Sequence, residues 1–202
     1  MRELRMTLNR QVFGFIIVPA MLASLTLRAP AAPVEAGCGN AVDAFISLPT
    51  ENSLAVLARL NQDDCWSVVG PSNPTLDRLN YWSERGNRWA AQYLAKHLKQ
   101  LDGGNLEDAL IALGQFSDHD MQRLLLFADK GLLSKRELTH ALTMLPLSLS
   151  DNPRAQLDLL SARKSKIMGV TRKDLSEQRT LALNAINDFA SEIRSKNPGN
   201  RR

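Results

Sequence analysis

Apolar residues recur at intervals of three and four through most of this chain, the spacing that gathers them on one face of an α-helix. Leu76, Leu79 and Trp82 form one such row. Trp89-Ala90, Tyr93-Leu94, His97-Leu98 and Leu101 form a second, continuous one. Further rows follow at Leu106, Ala109, Leu110, Leu113 and Phe116, then at Met121, Leu124, Leu125 and Phe127. Leu138, Ala141, Leu142 and Leu145 make the next, and Leu157, Leu159 and Leu160 the one after. Leu175, Ala182, Ile186, Phe189 and Ile193 make the last and longest.

Start and stop residues punctuate these rows. Asn73-Pro74 opens the first helix, with proline at the first helical position, and Gly86 stops it. Asn87 starts the next, which ends at Asp102-Gly103-Gly104. Asn105 is expected to cap the third, and Ser117 with Asp120 to open the fourth at capping-box spacing, with Gly131 closing it. Ser134 and Glu137 form a capping box for the fifth, which Pro146 ends. Asn152-Pro153 opens the sixth; Thr171 and Asp174 open the last, which Asn197-Pro198-Gly199 terminates. A shorter helix is predicted near Glu51 to Asn61. Cys65-Trp66-Ser67-Val68-Val69 is the one strand-like run, and a helical turn fits it equally.

Connections at Arg85–Asn87 and Phe116–Asp118 are so short that they force antiparallel helix hairpins. Starts near Asn73, Asn105 and Ser134 space the hairpins by roughly 30 residues. The predicted fold is all-α: antiparallel hairpins stacked into a small bundle or a short solenoid. Over Asn73 to Lys166 the pattern resembles a HEAT-type array. That resemblance implies a fold and carries no functional residues with it.

The first 36 residues have a different character. Arg2, Arg5 and Arg10 precede an uncharged run from Val12 to Leu27, and a small, Pro-rich stretch from Ala29 to Ala36 follows. That order is the order of a secretory signal, with cleavage expected after Ala31 or after Ala36. The apolar run is shorter than the ~20 residues of a spanning helix, and Pro19 interrupts it. Ala36-Gly37-Cys38 also resembles the end of a lipobox, although Glu35 stands where that motif takes an aliphatic residue. The expected organisation is a signal peptide over 1–36, one all-α domain over 37–196 and a flexible basic tail over 197–202.

Composition narrows the class. Hydrophobic residues are 44% and charged residues 23%, a globular balance that excludes disorder as the main state. Aromatics at 5%, with 11 Gly and 9 Pro, are too few for a β-sandwich or barrel. The formal charge of +4 falls to +2 once the leader, with four basic residues and two acids, is removed. So small a surplus gives no ground for a nucleic-acid partner.

The chain has two cysteines, Cys38 and Cys65. In an exported protein they are expected to pair, closing a loop of about 27 residues. Lipidation of Cys38 would exclude that bridge, and would attach the protein to a membrane otherwise met only through the leader.

Candidate chemistry is sparse. Of the three histidines, His97 sits within an apolar row and His140 on a capped helix. His119 stands between Asp118 and Asp120 at an expected helix start, where acids complement the helix dipole. A small envelope hydrolase using His119 with Asp118 or Asp120 is the enzymatic alternative. Residues 129–138 look like the second half of an EF-hand loop. Leu126, Ala128 and Lys130, however, stand where calcium needs side-chain oxygens. No metal or other cofactor is expected. Asp63-Asp64 and Glu107-Asp108 are carboxylate pairs without a recognisable partner. Arg154, Arg163, Lys164, Lys166, Arg172 and Lys173 read as a solvated basic face.

Tyr81, Trp82, Trp89 and Tyr93 bridge the Gly86 turn, either as core between hairpins or as a binding surface. Aromatic and arginine side chains dominate interface energetics, so Arg78, Tyr81, Trp82, Arg85, Trp89 and His119 are the candidate protein-binding residues. The functional expectation is an exported, periplasmic or secreted protein that binds another exported protein without catalysis. Its most concrete form is an inhibitor or immunity-type protein against a secreted enzyme or toxin. A periplasmic chaperone or scaffold is the remaining alternative.

Overall fold

A computed structural model describes residues 37–60, 65–66 and 73–197, all within the unit Glu35–Arg202. The leader with both cleavage sites, Asp63-Asp64, Ser67-Val68-Val69 and the tail from Pro198 lie outside the described residues. The described chain is all-helical, with nine α-helices and no strand among these residues. They are α1 (Cys38–Ser47), α2 (Glu51–Arg59), α3 (Asn73–Glu84), α4 (Arg88–His97) and α5 (Gly103–His119). Then come α6 (Met121–Asp129), α7 (Lys135–Thr143), α8 (Pro153–Gly169) and α9 (Ser176–Lys196). Short 3-10 turns cover Leu98–Gln100, Leu147–Leu149 and Lys173–Leu175. Among the described residues no helix is long and apolar enough to cross a membrane.

Several boundaries follow the sequence signals. The Asn87 side chain accepts from the N–H groups of Trp89 and Ala90, and Ser134 and Glu137 form the reciprocal capping box. Asn152 accepts from the N–H of Ala155 ahead of Pro153. Others move. Helix α5 starts two residues before Asn105 and runs on through Ser117, Asp118 and His119. Asp120, not Ser117, caps α6, accepting from the N–H of Arg123. Ser117 is buried and donates its hydroxyl to the Gly114 carbonyl, so it continues a helix instead of opening one. The last helix begins at Ser176, after the 3-10 turn that holds Asp174. Helix α1, absent from the predicted set, buries Ala41, Val42 and Phe45 at helical spacing.

The helices pack in two rows. Helix α1 lies against α3, α3 against α5, α5 against α7 and α7 against α9. The even-numbered helices follow alongside, α2 against α4, α4 against α6 and α6 against α8. The buried side chains of both rows form one apolar core from Ala41 to Ile193. Each fully buried leucine, such as Leu113 or Leu124, contributes about 2 kcal/mol in area terms.

At one end, Cys38 and Cys65 form a disulfide that ties the start of α1 to the turn at Cys65-Trp66. Next to it Trp66 stacks on His97 with centroids 4.5 Å apart, and Tyr93 packs against Trp66, His97 and Phe45.

Near the other end a charge is buried in the core. Arg163 belongs to no solvated face; its side chain is fully buried between α5, α7 and α8. It occupies an apolar position of its own helix, three residues after Leu160 and four before Ile167, both fully buried. Its Nε and Nη2 donate to the two Asp118 carboxylate oxygens, each at 3.3 Å, and Nη1 donates to the Leu142 carbonyl at 2.9 Å. Lys166 adds a second cation 3.8 Å from Asp118. Gly114 makes the approach possible: a Cβ there would lie 2.3 Å from the Ala141 carbonyl oxygen and 3.1 Å from Arg163 Nη2.

Two outcomes follow from this packing. Asp118→Ala strands a buried guanidinium and is expected to lower unfolding free energy by about 3 kcal/mol or more, whereas Arg163→Met, which removes the charge as well, costs less. Chemical denaturation of both variants checks the order. Reduction of the Cys38–Cys65 bridge, closing a loop with sequence separation 27, is expected to cost about 3.5 kcal/mol. Denaturation with and without reductant reads it.

Candidate functional site

The outer face of α3 carries the candidate surface because the helix is amphipathic. Leu76, Leu79, Asn80 and Ser83 turn inward, which leaves Asp77, Arg78, Tyr81 and Arg85 exposed. Tyr81 is 45% exposed, and the Arg85 guanidinium lies over its ring at 3.6 Å from the centroid. Trp82 meets the Tyr81 ring edge-on at 5.5 Å.

The other predicted residues do not all join this pair. Trp82 is half-buried and donates its indole N–H to the Ile46 carbonyl at 2.9 Å, so it anchors α3 to α1. Tyr93, the fourth aromatic, is core. Trp89 is half-buried under the Arg88 guanidinium and belongs to a separate cleft of about 240 Å³ between α2 and α4. Arg78 is exposed three residues before Tyr81.

His119 reaches back to the same hairpin. Its Nε2 donates to the Glu84 carbonyl at 2.9 Å, closing the end of α3. Gly86 has φ +82°, a left-handed conformation suited to glycine, and a Cβ there would also strike the His119 ring at 2.8 Å. The neighbours of His119 are engaged elsewhere. Asp118 holds Arg163, and Asp120 caps α6 and pairs with Arg123. The three side chains therefore diverge. Among the described residues no group of three His, Cys, Asp or Glu could hold a metal ion.

Beside Tyr81 lies a feature the sequence did not disclose. Asp77, Asn80, Tyr81 and Glu84 of α3 face Asp108 and Ile111 of α5 across a cleft of about 250 Å³. Burial pushes the Glu84 carboxyl above its usual range; Arg85 opposes this, and the like charge of Asp108 adds to it. Asn80 is 8% exposed, and its carboxamide oxygen is buried without a partner. The sequence signal was partial. Asp77 and Glu84 share a helix face at a spacing of seven, but Asp108 joins them only through the packing of α3 on α5.

The larger concavities lie far along the chain from this surface. Two adjoining grooves of about 470 and 430 Å³ share Ser150, Gln156 and Phe189. Met144, Leu145, Pro146 and Leu147 give the second its apolar wall, and His140 also lines it.

The chain matches no known protein family, no curated protein and no solved structure.

Glu84 supplies a test of the cleft geometry. Its folded pKa lies above its unfolded value, so ionisation costs stability, and this cost grows as pH rises through the folded pKa. Glu84→Gln is expected to raise the thermal midpoint at about pH 7 and to leave it nearly unchanged at about pH 3, where wild-type Glu84 is protonated. A lower midpoint for the variant at neutral pH would show that the Arg85 attraction outweighs burial.

Proposed function

We propose that this chain is an exported, non-catalytic protein-binding protein, most concretely an inhibitor or immunity-type protein against a secreted enzyme or toxin. The observation that carries the reading is the exposed Tyr81 ring under the Arg85 guanidinium. Tyrosine and arginine are among the side chains that most often dominate binding energy, and here Tyr81 stands on a packed helix with Arg85 in the turn directly after it, so little entropy is lost on docking. Two features support export: the basic, apolar, small-residue order of the leader and a disulfide closed by the chain's two cysteines. With Cys38 in that bridge, its sulfur is not available to a lipid. The two-row packing supports reading the domain as a short HEAT-like solenoid, an architecture whose faces serve as binding surfaces.

His119 lends no weight to a hydrolase, because its ring is taken up by the α3–α4 turn. A periplasmic chaperone or scaffold is the second reading. It draws on the apolar groove at Leu147, whose side chain is 79% exposed.

The test uses the oxidised chain from Gly37 as bait in native envelope extract, beside the Tyr81→Ala/Arg85→Ala double variant. One stoichiometric partner is expected for the wild type, with affinity for the double variant reduced about 30-fold or more, the cost of losing a hot spot of about 2 kcal/mol. An empty wild-type bait at high loading overturns the reading. Equal capture by the variant overturns the assignment of the surface.

A further inference from the structure

We infer that the cleft between α3 and α5 is a receptor for one cationic side chain, arginine or lysine, of the bound partner. The inference rests on the protein-binding reading and names what its partner must present.

The cleft walls offer acceptors. Asp77 and Glu84 come from α3 and Asp108 from α5. Arg85 is the cation that acts on Glu84, and its guanidinium is stacked outside on the Tyr81 ring. Asp108 acts as a like charge on Glu84 across this concavity, and a cation entering between the two carboxylates relieves that repulsion.

Asn80 supplies the independent observation. It lines the cleft, is more than nine-tenths buried, and its carboxamide oxygen has no hydrogen-bond partner. A buried orphan acceptor costs stability, and an incoming N–H removes that cost.

The geometry selects the kind of cation. Among the described residues no three carboxylate, His or Cys groups converge closely enough for a metal ion. A group with several spread donors is what such separated acceptors fit. A guanidinium has five N–H donors in a planar fork, and an ammonium has three. Ile111 and the Tyr81 ring supply apolar wall for the aliphatic stem that both side chains carry. The volume of about 250 Å³ has room for one long side chain.

N-acetyl-arginine methylamide is the probe, and the citrulline analogue is its neutral isostere. Both are titrated into the oxidised chain from Gly37, with amide shifts followed by NMR. The arginine probe is expected to bind in the millimolar range, shifting the Asn80 side-chain amide and the backbone near Tyr81 and Asp108, while the citrulline probe does not. Asp77→Asn/Asp108→Asn keeps the side-chain shapes, and its folding is checked by circular dichroism. It is expected to weaken both the probe and the captured partner about tenfold or more. Equal response to the two probes, or an unchanged response in the variant, overturns the inference. A partner captured equally by wild type and this variant overturns the inference while leaving the protein-binding reading standing. Probe binding with no captured partner overturns the partner as the source and assigns the cleft to a free small cation.

Discussion

The buried guanidinium of Arg163 holds α5, α7 and α8 together. Arg163 sits in the core with its charge answered by Asp118 at the end of α5 and by the Leu142 carbonyl at the end of α7. A buried ion pair is no automatic source of stability, since desolvation consumes most of its attraction. What it imposes is register. Three helices meet only where one fork reaches both acceptors, and Gly114 lets α5 and α7 close to that distance.

From that point polar contacts run through the stack. Asp118 is fixed by Arg163, so His119, the next residue, is fixed too, and its ring closes on Glu84 and Gly86. Across the same turn the Asn87 side chain donates to the Pro49 carbonyl, and Trp82 donates to Ile46. Those bonds hold α1, whose first residue is tied to Cys65 by the disulfide. The candidate surface on α3 is thus held from both sides. The Tyr81 and Arg85 pair stands on a helix end whose carbonyl and following turn are both engaged.

The apolar rows and cap residues made the helical class and most of the helices legible, because both are local properties. Reading failed where a distant partner decides. Ser117 and Asp120 have the spacing of a capping box, yet burial of Ser117 against Gly114 keeps α5 going to His119. Arg163 looked solvated because charge usually is, although its place between Leu160 and Ile167 marked the buried face. Of the residues the sequence named for a binding surface, Tyr81 and Arg85 meet on the exposed side of the fold. Trp82 and Trp89 have the same chemistry but are drawn toward α1 and α2. Asp108 drew notice only as half of a carboxylate pair with Glu107, since its meeting with Glu84 depends on how α3 settles on α5.

The two-row arrangement also bears on how the chain finds its fold. Each helix packs largely on helices close to it in sequence, so loop closure is short-range and the entropy of bringing partners together is low. The Arg163–Asp118 and Gln178–Asp129 contacts reach farther, across 45 and 49 residues. A guanidinium desolvated before both of its acceptors are in place would be uncompensated, which makes burial of Arg163 a late step. The ion pair locks a register only once α5, α7 and α8 already lie against one another, because its fork spans acceptors on two of them.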